Sequence, residues 1–410
     1  MSWRPSTECA NSCNRSTCYC VDNSEDIDLL VSNFRKYKCD TITVIIGAGS
    51  SNNPPSWSMP NWEGLLSCMR SGMENSLTPP SGIKRTSEDG IIAGVIENDI
   101  RRKSVAKINS TLRARGILTP NIMSNAMATS VSAYQLAAYV KAIFAPKRNQ
   151  VRNIVKGDNV TRENSTAYVL AYACAQRAIA GIRTIVITYN YDDLFEFMLK
   201  YVLGIDVLNK PEIQVRPHVY SRSRDNSPYA LHSLTKGDHK TIDIYYVHGR
   251  LPIFTDDALE PSAVSDGIIL SDISYDDLAQ NSYGFSNHIQ RTAMTAFPTV
   301  TCGFSCTDRN FRRLRKEIEA TNVSLRPLLS LFFCNEVCST SSVKKCSRCG
   351  TSHICDEKKC NICEQACVSE AKEHCLNYSL LMEHKYQNFS PLPVKEGEYM
   401  QLFENILIPD

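Results

Sequence analysis

Four polar motifs in this chain of 410 residues contain the residue types that bind nucleotides or move protons. Glycines let backbone N–H groups approach a phosphate, and a helix that starts just after them favours an anion. An asparagine amide can hold a ribose hydroxyl or an attacking water, and a histidine is the usual general base near neutral pH. The motifs are the run Gly47, Ala48, Gly49, Ser50 and Ser51; Asn190 with Asp192; His248; and Ser305.

Each motif follows a segment that is typical of a buried strand. These β-branched or apolar segments are Thr41–Ile46, Arg183–Thr188, Ile242–Val247 and Thr299–Gly303, and Gly267–Leu270 is a fifth predicted strand. Amphipathic helices are predicted at Thr166–Ile179, Leu194–Leu203 and Phe311–Ile318. Strands that alternate with helices predict an α/β fold with a parallel sheet. Ligands bind outside the carboxyl ends of such strands, so the four motifs should meet at one site.

Each motif also has a structural interpretation. The glycine run lacks the third glycine of a full dinucleotide fingerprint, and it would also suit a tight turn without a ligand. Asp192 or Asp193 would suit a helix N-cap, as would Asp308. A single histidine at a strand end is more often structural than catalytic. His218, His232 and His239 fall in a predicted polar loop, and the arginines from Arg309 to Arg315 suit a solvated helix face.

Charge and hydropathy exclude several classes of function. The chain has 45 basic and 43 acidic side chains, a net charge of +2, so we expect no direct nucleic-acid partner. No stretch approaches the roughly 18 unbroken apolar residues of a membrane span. The first twenty residues lack the apolar core of a signal peptide, which predicts a cytoplasmic protein.

Composition shifts along the chain predict its domain organisation. Residues 1–25 lack periodicity and predict a disordered, cysteine-rich arm. Residues 26–330 carry the predicted sheet, with a helical insertion at about residues 85–181. A cysteine-rich element at residues 334–367 follows, and residues 368–410 should pack back on the main domain.

Two pairs of cysteines in the third segment have the spacing of zinc knuckles. A tight turn between two nearby thiolates presents both to one tetrahedral ion, and four thiolates close the shell of a structural site. His353, Cys355 and Cys367 are candidates to replace one of these ligands or to bind a second ion. The structural interpretation is a reduced cysteine-rich loop. The expected ligands are Cys346, Cys349, Cys360 and Cys363.

The four motifs, in this order, resemble the sirtuin-like domain family. The matching pieces are VIIGAGSS, MPNWEGLL, TYNYDDLFE, YVHGRL and CGFSCTDRN, and they span about residues 41–317. The tryptophan in PNWEGLL, the double aspartate in NYDD and the GFSxxD pattern are most similar to a divergent branch. That branch includes NAD hydrolases of bacterial antiphage defence and related eukaryotic proteins.

The resemblance implies a Rossmann-like fold that binds NAD, as a substrate, at the strand ends. Gly47, Ala48, Gly49 and Ser50, with Ser51 beside them, would lie against its phosphates and ribose. Asn190 and Asp192 would hold the nicotinamide ribose and water, His248 would be the base, and Ser305 would lie near the adenosine side. Deacylating sirtuins carry paired CxxC motifs soon after the HG motif. This chain has no cysteine between His248 and Cys302, which argues against deacylation.

The leading hypothesis is therefore an NAD glycohydrolase that releases nicotinamide and ADP-ribose, with a role in immune or antiviral defence. Catalysis would depend on Asn190 and His248. A second hypothesis is an NAD-dependent deacylase or ADP-ribosyl transferase, and a third is a non-catalytic NAD-binding scaffold. A homo-oligomer and a regulatory protein partner are expected in addition to NAD, and the zinc is expected to be structural.

Overall fold

The computed structural model describes the larger part of a parallel α/β domain. The described residues are 31–51, 59, 144, 147–153, 155, 165–220, 238–255, 268–269, 272–281, 284–304, 306, 308–321, 326–333, 344–345, 352–353, 389–394 and 399–409. The expected arm at residues 1–25 and most of the expected helical insertion lie outside these ranges. The domain boundaries therefore stay predictions.

Nine strands and six α-helices have both ends in the described ranges, and residues 31–35 and 147–153 are helical as well. The strands are β1 (Ile42–Ile46), β2 (Thr184–Thr188), β3 (Gln214–Val219), β4 (Thr241–Tyr246), β5 (Thr299–Cys302), β6 (Leu328–Phe333), β7 (Lys344–Lys345), β8 (Ser352–His353) and β9 (Phe389–Val394). The helices are α1 (Thr166–Ile179), α2 (Leu194–Leu203), α3 (Asp272–Gln280), α4 (Phe285–Ala296), α5 (Arg309–Ala320) and α6 (Tyr399–Leu407). A short 3-10 helix, Ala48–Ser51, follows β1.

Seven strands form one sheet in the order β3-β4-β2-β1-β5-β6-β9, and every neighbouring pair is parallel. From β1 the chain places β2 beside it, continues to β3 at the edge, and adds β4 between β2 and β3. It then crosses to place β5 on the other side of β1. The order of strands therefore reverses between β1 and β5. This is a Rossmann-like arrangement, as expected, and ligands bind in the crevice at such a reversal.

Alternate strand residues supply two apolar layers, one on each face of the sheet. One layer contains Val44, Val186 and Ile244 and packs against α1, α2 and α6. The other contains Ile45 and Ile187 and packs against α4 and α5. The side-chain period of two along each strand produces this division. Because both faces are covered, the central strands β1, β2 and β4 are buried along their whole length.

Arg177 ties three separate segments together beneath the first of these layers. Its guanidinium is fully buried and donates to the carbonyls of Lys38, Asp40 and Leu407, and also to Thr184 Oγ1. Burial lowers its pKa to about 10. Five donors in a fixed plane can serve several acceptors at once, so one side chain joins α1, the segment before β1 and the end of α6.

Both edge strands contain proline. Pro217 lies in β3, and Pro391 and Pro393 lie in β9. Proline cannot donate to a strand ladder and is therefore confined to the edges of sheets. The prolines in these two strands are the reason that the sequence did not predict them.

Two sequence-based expectations are wrong. Ile268 and Ile269, from the predicted strand Gly267–Leu270, are not in a strand, and the Ile269 N–H donates to the carbonyl of His248. His218, expected in a polar loop, lies in β3 with its Nε2 2.8 Å from Asp243 Oδ1. Among the described helices, none is both long and apolar enough to cross a bilayer.

Candidate active site

The polar motifs lie at the carboxyl ends of the central strands, as the sequence predicted. The glycine run follows β1, Asn190 follows β2, His248 follows β4, and Gly303 follows β5. The pairing of β1 with both β2 and β5 places the glycine run, Asn190 and Gly303 side by side. Ser305 lies outside the described residues.

The glycines bring the loops after β1 and β5 into direct contact. Gly47 N–H donates to the Cys302 carbonyl at 3.0 Å, and Gly49 N–H donates to the Gly303 carbonyl at 2.9 Å. A Cβ on Gly47 would lie 2.5 Å from the Gly303 oxygen. Gly303 itself has a φ of +59°, and a Cβ there would lie 2.1 Å from Ser50 N. No larger residue fits at this crossing of two backbones.

This contact changes the role of the glycine run. The Ser50 N–H also donates within the protein, to the Gly47 carbonyl at 3.0 Å. The N–H groups of Gly47, Gly49 and Ser50 are therefore engaged within the protein. The glycines serve first to join the loops at the sheet reversal, and only secondarily could they let a phosphate approach.

Asn190 connects the β2 end to this crossing. Its amide nitrogen donates to the Gly47 carbonyl and to Ser51 Oγ, both at 3.2 Å, and its side chain is buried. These two bonds use both amide protons. The carboxamide oxygen is thus the atom with which Asn190 would accept a hydrogen bond from a substrate hydroxyl or a water.

The two neighbouring aspartates have separate roles, which the sequence did not distinguish. Asp192 Oδ1 lies 3.3 Å from Ser51 Oγ and accepts the Leu194 N–H at 3.2 Å. Burial raises the pKa of Asp192 to about 6. Asp192 is therefore a carboxylate at the site that is mainly ionised at pH 7 but takes up a proton at a higher pH than an ordinary aspartate.

Asp193 instead holds the loop that follows His248. Its carboxylate accepts the backbone N–H groups of Ile253, Phe254 and Thr255 at 2.7–3.0 Å, and it also bonds the Thr255 hydroxyl. It makes no side-chain cap for α2, although it occupies the N-cap position. The sequence thus placed the N-cap at Asp193 correctly, but the Asp193 side chain serves the loop after His248 and not the helix.

A second buried carboxylate supports the same loop from α2. Glu196 is fully buried and accepts two hydrogen bonds from Arg250, at 2.9 and 3.1 Å. It also bonds the Tyr246 hydroxyl at 3.1 Å. Paired contacts between a guanidinium and a carboxylate fix both position and angle. The loop that begins at His248 is therefore held by contacts at Arg250 and at residues 253–255.

His248 is 3 % exposed and lies among aromatic rings. The Tyr189 ring meets its edge at 4.8 Å between centroids, and the Tyr275 ring does so at 5.4 Å. Burial lowers the pKa of His248, and the nearby Asp308 carboxylate opposes this effect. The imidazole is therefore neutral near pH 7, which is the form that a general base requires.

The described site residues form a connected set. Asn190 contacts Ser51 and Gly47, its neighbour Tyr189 packs on His248, and Tyr189 also stacks on Phe304 at 4.4 Å. The structure thus brings the first three motifs together around Tyr189. Sequence analysis missed Tyr189 and Tyr275, because an aromatic residue beside a strand or on a helix normally indicates only the core.

The charged face expected on α5 is largely paired within the protein. Arg315 is buried and lies 3.8 Å from Glu319, and Arg313 bonds Glu317 and Asn287. Arg309 pairs with Asp276 at the surface. These contacts favour the structural interpretation of the arginine run over a surface for an anionic partner.

The expected zinc ligands Cys346, Cys349, Cys360 and Cys363 lie outside the described residues. Strands β7 and β8 pair antiparallel, with Lys344 opposite His353, so residues 346–351 join the two strands. This joining segment contains the first CxxC pair. Elsewhere in the described ranges, no group of three or more metal-binding side chains is present.

Comparison with known proteins supports the resemblance that the motifs carry. No curated protein matches the chain. A family model described as the SIR2-like domain matches residues 184–345, a range that includes Asn190, Asp192 and His248 and begins after the glycine run. Proteins with this domain use NAD as a substrate. Residues 184–345 of this chain are thus similar to the SIR2-like domain, in agreement with the resemblance that the strand-end motifs carry.

Proposed function

We propose that the chain is an NAD glycohydrolase that releases nicotinamide and ADP-ribose. The observation that carries the proposal is a buried, neutral His248 that shares the strand-end crevice with Asn190. Asn190 and His248 follow the neighbouring strands β2 and β4. A carboxamide that accepts from a hydroxyl or water and an uncharged imidazole are the two groups that activation of a water requires.

The reaction balances with the groups present. The C–N bond between ribose and nicotinamide breaks, and its electron pair neutralises the pyridinium nitrogen of the leaving nicotinamide. A water oxygen forms the new bond to the ribose carbon and loses one proton to His248, which passes it to solvent. Asn190 Oδ1 would hold the water or a ribose hydroxyl in line. Placing these groups beforehand lowers the entropic part of the barrier.

The test is incubation of the pure protein with NAD, assayed for nicotinamide, ADP-ribose and cyclic ADP-ribose. We expect His248→Ala and Asn190→Ala each to lower nicotinamide release by at least about 10²-fold. His239→Ala, at an exposed position, is the matched control and should turn over NAD like the parent. Parent-like turnover by both site variants would refute the assignment.

The same assay separates the other two candidates. NAD consumption that requires an acylated or acceptor protein would assign a deacylase or transferase instead. NAD binding measured by calorimetry, with no product over hours, would assign a scaffold. A defence role, a cytoplasmic location, a homo-oligomer and a regulatory partner stay predictions.

We also propose that Cys346, Cys349, Cys360 and Cys363 hold one structural zinc ion. Their thiolates are the donors that zinc prefers, and the pairing of β7 with β8 brackets the first pair at a chain reversal. Metal analysis of the pure protein should find about one zinc per chain, and Cys346→Ser should lower that content. Equal zinc in parent and variant would contradict this ligand set.

A further inference from the structure

Asp308 uses its two carboxylate oxygens for different contacts. Oδ1 accepts the Phe311 N–H at 2.9 Å and caps α5, as the sequence predicted. Oδ2 accepts the Tyr275 hydroxyl at 2.6 Å and lies 3.7 Å from His248 Nε2. Capping explains the first oxygen only. The second is directed to the side of the site where His248 lies.

His248 Nε2 is buried and has no hydrogen-bond partner among the described residues. A distance of 3.7 Å to Asp308 exceeds hydrogen-bond range, so the two groups are close without being bonded in this state. The titratable groups that face the imidazole are Tyr189 from the β2 end, Tyr275 from α3, and Asp308 from the start of α5. Of these three, only Asp308 is a carboxylate.

A carboxylate near one ring nitrogen decides which nitrogen carries the proton. The N–H form is favoured at the nitrogen that faces the negative charge, and the lone pair is then on the other nitrogen. The facing nitrogen here is Nε2. This leaves Nδ1 as the atom with a free electron pair.

We propose that Asp308 is a positioning residue for His248, which it holds with the proton on Nε2 so that Nδ1 is the base, and that Tyr275 fixes Asp308 Oδ2 in place. The inference rests on the proposed NAD hydrolysis and specifies how its base is set. When Nδ1 takes a proton from water, the O–H electrons stay on the attacking oxygen. The imidazolium then faces the Asp308 carboxylate, and Tyr275 keeps its proton throughout.

Three variants isolate this contact. Asp308→Asn keeps an acceptor for the Phe311 N–H, because asparagine is also a good N-cap, and removes the charge. Tyr275→Phe removes only the hydroxyl that bonds Oδ2. Asp276→Asn removes a carboxylate from the next residue on α3, where the side chain is 54 % exposed and pairs with Arg309, and is the matched control.

Nitrogen-15 NMR of the histidine rings reports the tautomer and the pKa of His248 without any NAD. The His248→Gln variant identifies the signal by its loss. The parent should show the tautomer protonated on Nε2. Asp308→Asn should lower the pKa of His248 by about one unit or more, because an opposite charge at this range favours the imidazolium. Tyr275→Phe should raise it, since the carboxylate loses a donor that offsets its charge, and Asp276→Asn should leave it unchanged.

Kinetics give the second measurement. In Asp308→Asn the acidic limb of the kcat/KM profile should move to lower pH, and kcat should fall at least about tenfold, because a neutral partner no longer favours the required tautomer. A His248 pKa and tautomer equal to those of the parent in both Asp308→Asn and Tyr275→Phe would overturn the inference. If Asp308→Asn does not fold, an unshifted pKa in Tyr275→Phe overturns it alone.

The outcomes also separate this inference from the proposed function. A parent that releases no nicotinamide refutes NAD hydrolysis, while the NMR titration still tests the contact between Asp308 and His248. If the parent hydrolyses NAD but the pKa and tautomer of His248 are the same in Asp308→Asn and Tyr275→Phe as in the parent, only the positioning role is refuted.

Discussion

Asp192→Asn should stabilise the fold at alkaline pH, although Asp192 belongs to the site. Burial raises the Asp192 pKa from 3.8 to about 6, a difference of about 2.2 units. Each unit corresponds to about 1.36 kcal/mol, so the ionised carboxylate costs the folded state about 3 kcal/mol at high pH. Asparagine keeps an oxygen acceptor for the Leu194 N–H and carries no charge.

The pH dependence follows from the direction of the shift. A raised pKa means that the folded state binds the proton more tightly than the unfolded chain does. The cost is absent below about pH 3.8, grows as the pH rises, and is complete above the folded value of about 6. The gain from Asp192→Asn should therefore be about 3 kcal/mol at pH 8 and about 1.6 kcal/mol at pH 5, a difference of about 1.4 kcal/mol.

Urea unfolding of parent and variant at both pH values measures this difference directly. Asp193→Asn is the matched control, since it makes the same chemical change one residue along. Its carboxylate accepts three backbone N–H groups, so this variant should lose about 2–3 kcal/mol. A gain for Asp192→Asn that does not change between pH 5 and pH 8 would refute the reasoning, because it would mean that Asp192 ionises at the same pH in the folded and unfolded chains.

Two further predictions concern the contacts that hold the sheet. Gly303→Ala should abolish folding or cost well over about 3 kcal/mol, because its Cβ would overlap Ser50 N. Gly181 has a similar positive φ but open space around it, so Gly181→Ala should cost only about 1–2 kcal/mol in the same unfolding assay. Similar losses for both would mean that the β1 and β5 loops separate easily. Arg177→Leu should cost at least about 3 kcal/mol, because it removes hydrogen bonds to the segment before β1 and to the end of α6. Arg309→Leu, at an exposed ion pair, should change stability by less than about 0.5 kcal/mol. Equally small losses of stability for Arg177→Leu and Arg309→Leu in urea unfolding would contradict the role of Arg177 in joining these segments.

The sequence predicted most of the elements whose patterns are locally strong, but it did not predict β6, whose sequence LLSLFF is strongly apolar. Helices α1 and α2 begin and end at the predicted residues, and the strands before the glycine run and Asn190 agree within one residue. These segments are apolar or β-branched because they are buried at the centre of the sheet. Their position within the sheet follows from pairing between distant segments, which local pattern does not encode.

The errors have physical causes too. The segment at Ile268 and Ile269 is apolar because both residues are buried beside the loop at His248. The Tyr191 hydroxyl donates to the Ile269 carbonyl, and the backbone carbonyl of His248 accepts the Ile269 N–H. Burial by a loop gives the same residue types as burial in a strand. Likewise, the different partners of Asp192 and Asp193 are set by residues at 51 and 253–255, far along the chain. Two adjacent aspartates before a helix do not reveal that difference.

The prolines at both edges of the sheet bear on how copies of this protein could associate. An exposed strand edge invites another chain to extend the sheet, which leads to fibres and aggregates. Pro217 on one rim, and Pro391 with Pro393 on the other, remove backbone donors that such growth would use. Lateral growth of the sheet is therefore disfavoured at both rims. The homo-oligomer that the sequence predicts would accordingly form through helix or loop surfaces, so that assembly would leave the central strands and the crevice at their ends intact.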